Sequence, residues 1–263
     1  MQTYIKTDQQ IHQLSQTIAK FNRSYAIKKE DDSHTSLALD QIGNRLLGRW
    51  VDSSEGNVIL ALTFDKLRFE IFNDSMKSLF SVDIGGKTQF QAEEDIISFL
   101  PQIGLSAESF SKPLHFEIPD YDFIHDTYFR FKENELNELN QWIHSRALAN
   151  DACGWLNIHL RTDCEVRIWP HHFDTGIYVE PNKNTGIGFG LAMQDGIVNN
   201  PYYYFSGYGL NGHNMNFDLT GKLKYGSWII TENWKGAVLK LSEANRETVK
   251  EFLLEVTQWY LDH

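Results

Sequence analysis

A chain of 263 residues that is 41% hydrophobic and 13% aromatic has ample material for a real core, in one large domain or two smaller ones. A formal charge of −11 with no clustered Lys or Arg excludes nucleic acid and anionic membrane as partners, because phosphate binding relies on such clusters. The opening eight residues lack an apolar signal core, and no later run approaches the roughly 18 uninterrupted apolar residues of a membrane span, so a cytoplasmic protein is expected.

Cys153 and Cys164 are the only cysteines. They form no Cys-x-x-Cys pair, which leaves thiol-based zinc binding and dithiol redox chemistry without support. Two free thiols, buried or half-buried, are expected instead.

Taken in order, residues 8–21 carry Ile11, Leu14, Ile18 and Phe21 at offsets of three and four, which predicts an amphipathic helix with Asp8 as its cap. A polar loop follows, through Lys28-Lys29-Glu30-Asp31-Asp32 to Ser33-His34-Thr35. Residues 36–40, 44–51, 57–64, 67–72 and 78–84 read as strands of a meander separated by turn residues. Residues 93–100 read as a helix that Pro101 stops. A strand at 114–118 then opens the connection between the halves. A second helix over 133–149 would bury Leu136, Leu139, Trp142, Ile143 and Ala147.

The strand pattern resumes at 155–160, 164–169, 176–180, 186–193, 202–208, 226–231 and 236–240, with the turn residues of tight hairpins between them. A last helix over 243–262 would bury Val249, Phe252, Leu253, Val256 and Tyr260. Each half thus has a helix before an antiparallel meander and another after it. The expected fold is α+β, with antiparallel meander sheets flanked by helices in two topologically similar halves, 1–131 and 132–263.

The densest reactive stretch is Val-Arg-Ile-Trp-Pro-His-His-Phe-Asp at 166–174. On an extended strand, residues two apart share a face, so His172 and Asp174 point one way and Trp169, His171 and Phe173 the other. A His-x-Asp pair would supply two ligands to a divalent metal, or a histidine oriented by a carboxylate for proton transfer. His159 would join from the neighbouring strand if 155–160 and 164–169 formed a hairpin. The pattern lacks a full ligand set, so no metal is assigned, and no cofactor is specified. The competing expectation is that Asp174 orients a core histidine and serves packing alone.

Other histidines carry less. His34 sits in a loop suited to line a site or to cap an element, and His115 with Glu117 repeats the His-x-acid pattern on a solvated face. For His125, His144 and His213 the sequence offers no local pairing pattern. Tyr202 to Phe205, Tyr208, Trp228 and Trp234 would either line an apolar pocket or pair across strands. Gly186-Ile187-Gly188-Phe189-Gly190 places its glycines at alternate strand positions and is no phosphate loop; one sheet face is left bare for a close neighbour. Ser206 and Ser227 lack the Gly-x-Ser-x-Gly elbow.

Five pieces together resemble a family of uncharacterised bacterial proteins, a domain of unknown function. They are Asp31-Asp32-Ser33-His34-Thr35, Trp169-Pro170-His171-His172-Phe173-Asp174, Gly188-Phe189-Gly190-Leu191, Pro201-Tyr202-Tyr203-Tyr204, and Trp228 through Thr231-Glu232 to Gly236-Ala237-Val238-Leu239. The Trp-Pro-His-His-Phe-Asp string is the most specific of them. Where the family has Ser-Pro-Gly after the glycine strand, this chain has Ala192-Met193-Gln194. The resemblance implies positions and no reaction.

The functional expectation is a pocket for a small polar molecule, lined by His34, Trp169, His171, Tyr203 and Trp228. His172 would act as acid/base and Asp174 would orient it, in hydrolysis or isomerisation. The alternative is a non-catalytic structural or protein-interaction module. Whether the protein is an enzyme, and its oligomeric state, are left open by the residues.

Overall fold

The computed structural model describes residues 1–121 and 133–263, the side chains of 133–136 excepted. The expected boundary at 131/132, His125 and the side chain of Leu136 lie outside the described residues. The fold is α+β, and among the described residues it has two antiparallel sheets of six strands each, in two similar halves. Two compact units divide it: Lys6–Ile143 with Ile168–Phe173, here the first unit, and Met1–Ile5, His144–Arg167 and Asp174–His263, the second.

In the first unit, α1 (Gln2–Tyr25) runs longer than the apolar spacing predicts, and Asp8 lies inside it. Ile11, Leu14, Ile18 and Phe21 are fully buried, as their spacing requires. The sheet is a meander of β1 (Ala38–Asp40), β2 (Arg45–Leu47), β3 (Val51–Ser53), β4 (Gly56–Thr63), β5 (Arg68–Asn73) and β6 (Ser78–Asp83). The strand expected at 44–51 is broken, for β2 and β3 both pair with β4 and flank a gap at 48–50. Asn22 of α1 fills that gap, its Oδ1 accepting from the Arg49 amide at 2.7 Å and its Nδ2 donating to Ser36 O at 3.0 Å. Gly48 is required there because a Cβ would strike Ile18 at 2.8 Å.

Helix α2 (Gln89–Phe99) begins earlier than expected because Thr88 and Gln91 form a reciprocal capping box. Pro101 lies within a short 3-10 turn, Leu100–Ile103, rather than ending the helix outright. The small helix α3 (Ala107–Ser111) follows. The strand expected at 114–118 is not formed.

Helix α4 (Glu133–Leu160), which belongs to the second unit from His144 on, continues past 149 and absorbs the strand expected at 155–160. Ala149, Ala152, Cys153 and Leu156 sit at helical spacing and are fully buried, which outweighs the local alternation and leaves Ile158 exposed at 77%. Arg161 ends the helix at φ 57°, with the Thr162 amide donating back to Asn157 O at 2.9 Å.

The second sheet runs β11 (Ser227–Ile230), β12 (Lys235–Lys240), β10 (Tyr202–Gly209), β9 (Thr185–Ala192), β8 (Thr175–Asn182) and β7 (Arg167–Ile168). It departs from a simple meander, because β12 inserts between β10 and β11. One sheet face contributes Ile177, Val179, Ile187, Phe189, Leu191, Tyr203 and Phe205 to a core closed by α4 and α5 (Arg246–Asp262). On α5, Val249, Phe252, Leu253, Val256 and Tyr260 are buried as expected. Bare β9 positions admit close neighbours: Tyr178 lies over Gly186, and the Thr175 carbonyl lies against Gly190. Both cysteines are free thiols, Cys153 buried and Cys164 half-buried.

Candidate functional site

The Trp-Pro-His-His-Phe-Asp string is a turn, whereas a shared face for His172 and Asp174 presumes extended backbone. The Phe173 amide closes it by donating to Trp169 O at 2.6 Å, and Phe173 itself has φ 55°. Such a conformation is costly for a bulky residue and persists only where the surroundings hold it. Here the fully buried Phe173 ring stacks on His12 at 4.8 Å and on Trp142 at 5.9 Å, all within the first unit. The Pro170 carbonyl, an obligate acceptor, takes bonds from His12 Nε2 at 2.8 Å and Gln16 Nε2 at 2.8 Å. The other ring nitrogen of His12, Nδ1, lies at hydrogen-bond distance, 2.6 Å, from the Tyr121 hydroxyl. Burial and the charge of Asp8 raise the pKa of that Tyr121 phenol. Trp142 Nε1 donates to Asp8 Oδ1 at 2.6 Å, so Asp8 anchors the stack rather than capping α1.

The other side of the turn is an open ring cluster. Trp169 and His171 are half-buried and His172 is exposed. His171 contacts Trp169 at 6.1 Å, His172 at 4.4 Å and Phe116 at 5.7 Å. Phe116 meets His115 at 5.1 Å, and His115 Nε2 lies 3.0 Å from Asp32 Oδ2. Paired backbone bonds between Leu37 and Ile168 bring the His34 loop beside the string. His34 is buried, with Nδ1 accepting from the Lys29 amide at 3.3 Å and lying 3.6 Å from Asp32 Oδ1. Burial lowers the pKa of His34, and the Asp32 carboxylate opposes that shift. The first unit therefore gathers His34, Trp169, His171 and His172. Among the described residues no three His, Cys, Asp or Glu side chains are grouped to hold a metal ion.

A cleft of about 330 Å³ opens in the same unit. Gln13, Gln16 and Lys20 line it from α1, and Thr88, Gln89, Phe90 and Glu93 from α2. Leu114, Phe116 and Ile118 supply an apolar side, so Phe116 belongs both to the cleft and to the ring cluster. The polar residues interlock. Glu93, 7% exposed, accepts from Thr17 Oγ1 at 2.8 Å and Lys20 Nζ at 2.7 Å, while Gln89 Nε2 donates to Thr17 Oγ1 at 3.0 Å and Gln13 O at 3.1 Å.

The remaining expected site residues belong to the second unit. Asp174 accepts from the Tyr204 hydroxyl at 2.6 Å. The shared strand face expected for His172 and Asp174 is not formed, because the turn and the left-handed Phe173 break the alternation. Burial and the Asp174 carboxylate raise the Tyr204 pKa well above the ordinary phenol value. Tyr203 is fully buried in the core, stacked on Phe189 at 6.2 Å. Trp228 is half-buried in an aromatic cluster with Trp259 at 4.7 Å and Tyr260 at 5.9 Å. His159, exposed at the end of α4, is no neighbour in a hairpin, which removes the third ligand that pairing would have supplied.

His12, Gln16, Lys20 and Glu93 escape the sequence pattern. On α1, His12 and Gln16 are one turn apart beside the apolar stripe, a spacing that signals a shared face and nothing about its partners. Comparison with protein-family models, curated proteins and solved structures finds no match. Among the described residues no helix is long and apolar enough to cross a membrane.

Proposed function

We propose that this protein binds a small polar molecule, with the cleft between α1 and α2 of the first unit as the binding place. The observation that supports this reading most is the cleft's composition: six polar side chains, four of them (Gln13, Lys20, Gln89 and Glu93) bonded in one network with Thr17, beside an apolar wall, at about 330 Å³. A few placed polar groups on an apolar lining, at this volume, are what small-ligand sites share. The ring cluster of Trp169, His171 and Phe116 borders the cleft through Phe116 and supplies flat surface for a ligand that extends beyond it.

Catalysis by a His172–Asp174 pair is not part of this proposal, since Asp174 is bonded to Tyr204 and the strand face the two would share is not formed. A cytoplasmic setting fits the two free thiols.

Thermal-shift screening of the full chain against neutral polyols, amides, amines, carboxylates and zwitterions tests the reading. It expects at least one class to raise Tm in a saturable way, with the shift reduced in Lys20→Met and Phe116→Ala. Shifts that are absent for every class, or that persist unchanged in both variants, would sink it.

A further inference from the structure

The first sheet ends on β6, and a second cleft, of about 550 Å³, runs beside that strand without sharing a lining residue with the first cleft. Four consecutive residues of β6 line it, Phe80 to Asp83. Their side chains alternate between the two faces of the sheet, so a cavity that touches all four lies along the strand's edge and not over one face. The edge toward β5 is already paired, Phe69 with Val82 and Glu70 with Ser81, which leaves the outer one. The Ile84 amide donates to Leu67 O at 2.9 Å and sets the phase of that ladder. Phe80 and Val82 therefore turn their main-chain groups toward β5, while Ser81 and Asp83 turn theirs outward. Each of these two offers one N–H and one C=O to a further strand.

A register shift is one way to blunt such an edge. In β6 the shift comes at the start of the strand, between the pairings of Phe80 and Ser78, and Phe80–Asp83 stays regular. The opposite wall is one stripe of α2 and the turn after it, Asp95, Ser98, Phe99 and Gln102, at offsets of three, four and seven. From this wall the Phe99 ring stacks on Phe80 at 4.7 Å and makes an apolar floor beside the buried Val82. The charges of the cleft are already matched, Asp95 with Lys87 and Asp83 with Arg68. Main-chain groups and the apolar floor, not charge, are thus what an occupant would meet.

An edge strand across a groove from a helix suits an extended peptide that adds to the sheet as one more strand. Size decides between occupants. Nine residues line the cleft, well short of the roughly 20–30 a side that a stable interface with a folded partner takes, a second copy included. We infer that the cleft takes an extended peptide segment of another protein, bonded through its main chain to Ser81 and Asp83, with an apolar side chain laid on Phe80 and Phe99.

Selection of a display library of random linear heptapeptides on the full chain, followed by fluorescence anisotropy of the selected peptides, tests this. Expected are peptides with apolar residues at alternate positions. N-methylation of alternate peptide amides should weaken their binding about tenfold or more, and N-methylation of the intervening amides should change it little. Ser98→Trp fills the cleft from an exposed helix position, and Ser81→Pro removes an outward N–H where an edge strand tolerates the loss. Each should weaken binding to a similar degree, with circular dichroism confirming that each variant is folded. No selected peptide, a uniform response to N-methylation, or binding untouched by both variants overturns the proposal. A concentration-dependent dimer in sedimentation that Ser98→Trp abolishes gives the edge to a second copy and overturns it as well.

Discussion

Both units leave some buried polar atoms without a hydrogen-bond partner, Gln10 Oε1 and Ser33 Oγ in the first among them, but they differ in what their directed bonds hold. In the first, His12, Asn22 and Trp142 each spend their hydrogen-bonding groups on a named partner, and two of the three hold irregular backbone at Pro170 and at the β2/β3 gap. In the second, Tyr203 Oη, Thr257 Oγ1 and Trp228 Nε1 are buried with no hydrogen-bond partner. The core there is held by area, with aromatic rings from sheet and helix in mutual contact, each worth ~150–250 Å² of burial. Directed bonds go where a loop must be held in one shape, because a buried backbone carbonyl without a partner is costly. Where regular strands already satisfy the backbone, packing suffices.

The sharpest way to break this contrast is Phe173→Ala. Removing a fully buried ring stacked between His12 and Trp142 should lower the unfolding free energy by about 3–5 kcal/mol in a urea titration. A loss below about 1 kcal/mol would mean that the ring does not hold the turn.

Tyr204→Phe comes next. It deletes the donor to the Asp174 carboxylate and should cost about 1.5–3 kcal/mol at neutral pH, the range for a hydrogen bond to a charged group. A neutral outcome would place Asp174 with the packing residues of its unit instead.

A smaller effect is expected from pH. Burial depresses the His34 value below 6.5, against the pull of Asp32 and Asp31 and with a push from His115 and Lys28. The unfolded chain then binds the proton more readily, so this contribution to stability is present above 6.5 and is lost as pH falls through the folded value. The denaturation midpoint of the wild type should therefore fall more steeply on acidification than that of His34→Gln. Parallel slopes would show that His34 is not held neutral by its surroundings.

Least affected should be Tyr203→Phe, within about 1 kcal/mol of wild type and of either sign, because the hydroxyl it removes has no partner to lose. A larger loss would mean that the Tyr203 hydroxyl does have a partner in the folded protein.

Much of the architecture was legible in the residues. The α1 stripe at 11, 14, 18 and 21, the five buried positions of α5 and most strands follow from periodicity, because burying one face of a regular element leaves a regular trace. Residues 155–160 failed because six alternating positions fit a strand as well as the end of a helix. Only Ala149, Ala152, Cys153 and Leu156, read together with them, reveal which surface is covered. Residues 114–118 alternate too, yet His115 turns to Asp32, a partner 83 positions away, in place of a neighbouring strand.

Of the candidate site, composition alone singled out the Trp-Pro-His-His-Phe-Asp string and the His34 loop, and Leu37 and Ile168 bring the two together. The shape of the string was decided by tertiary structure. Pro170 meets His12 across 158 positions, and Phe173 enters a stack whose other members lie in α1 and α4. Local spacing reports the period of an element and the face it buries, since both repeat along the chain. A turn held by single bonds and ring contacts from distant residues has no period, so its geometry, and the split of His172 from Asp174 that follows, exist only in the folded protein.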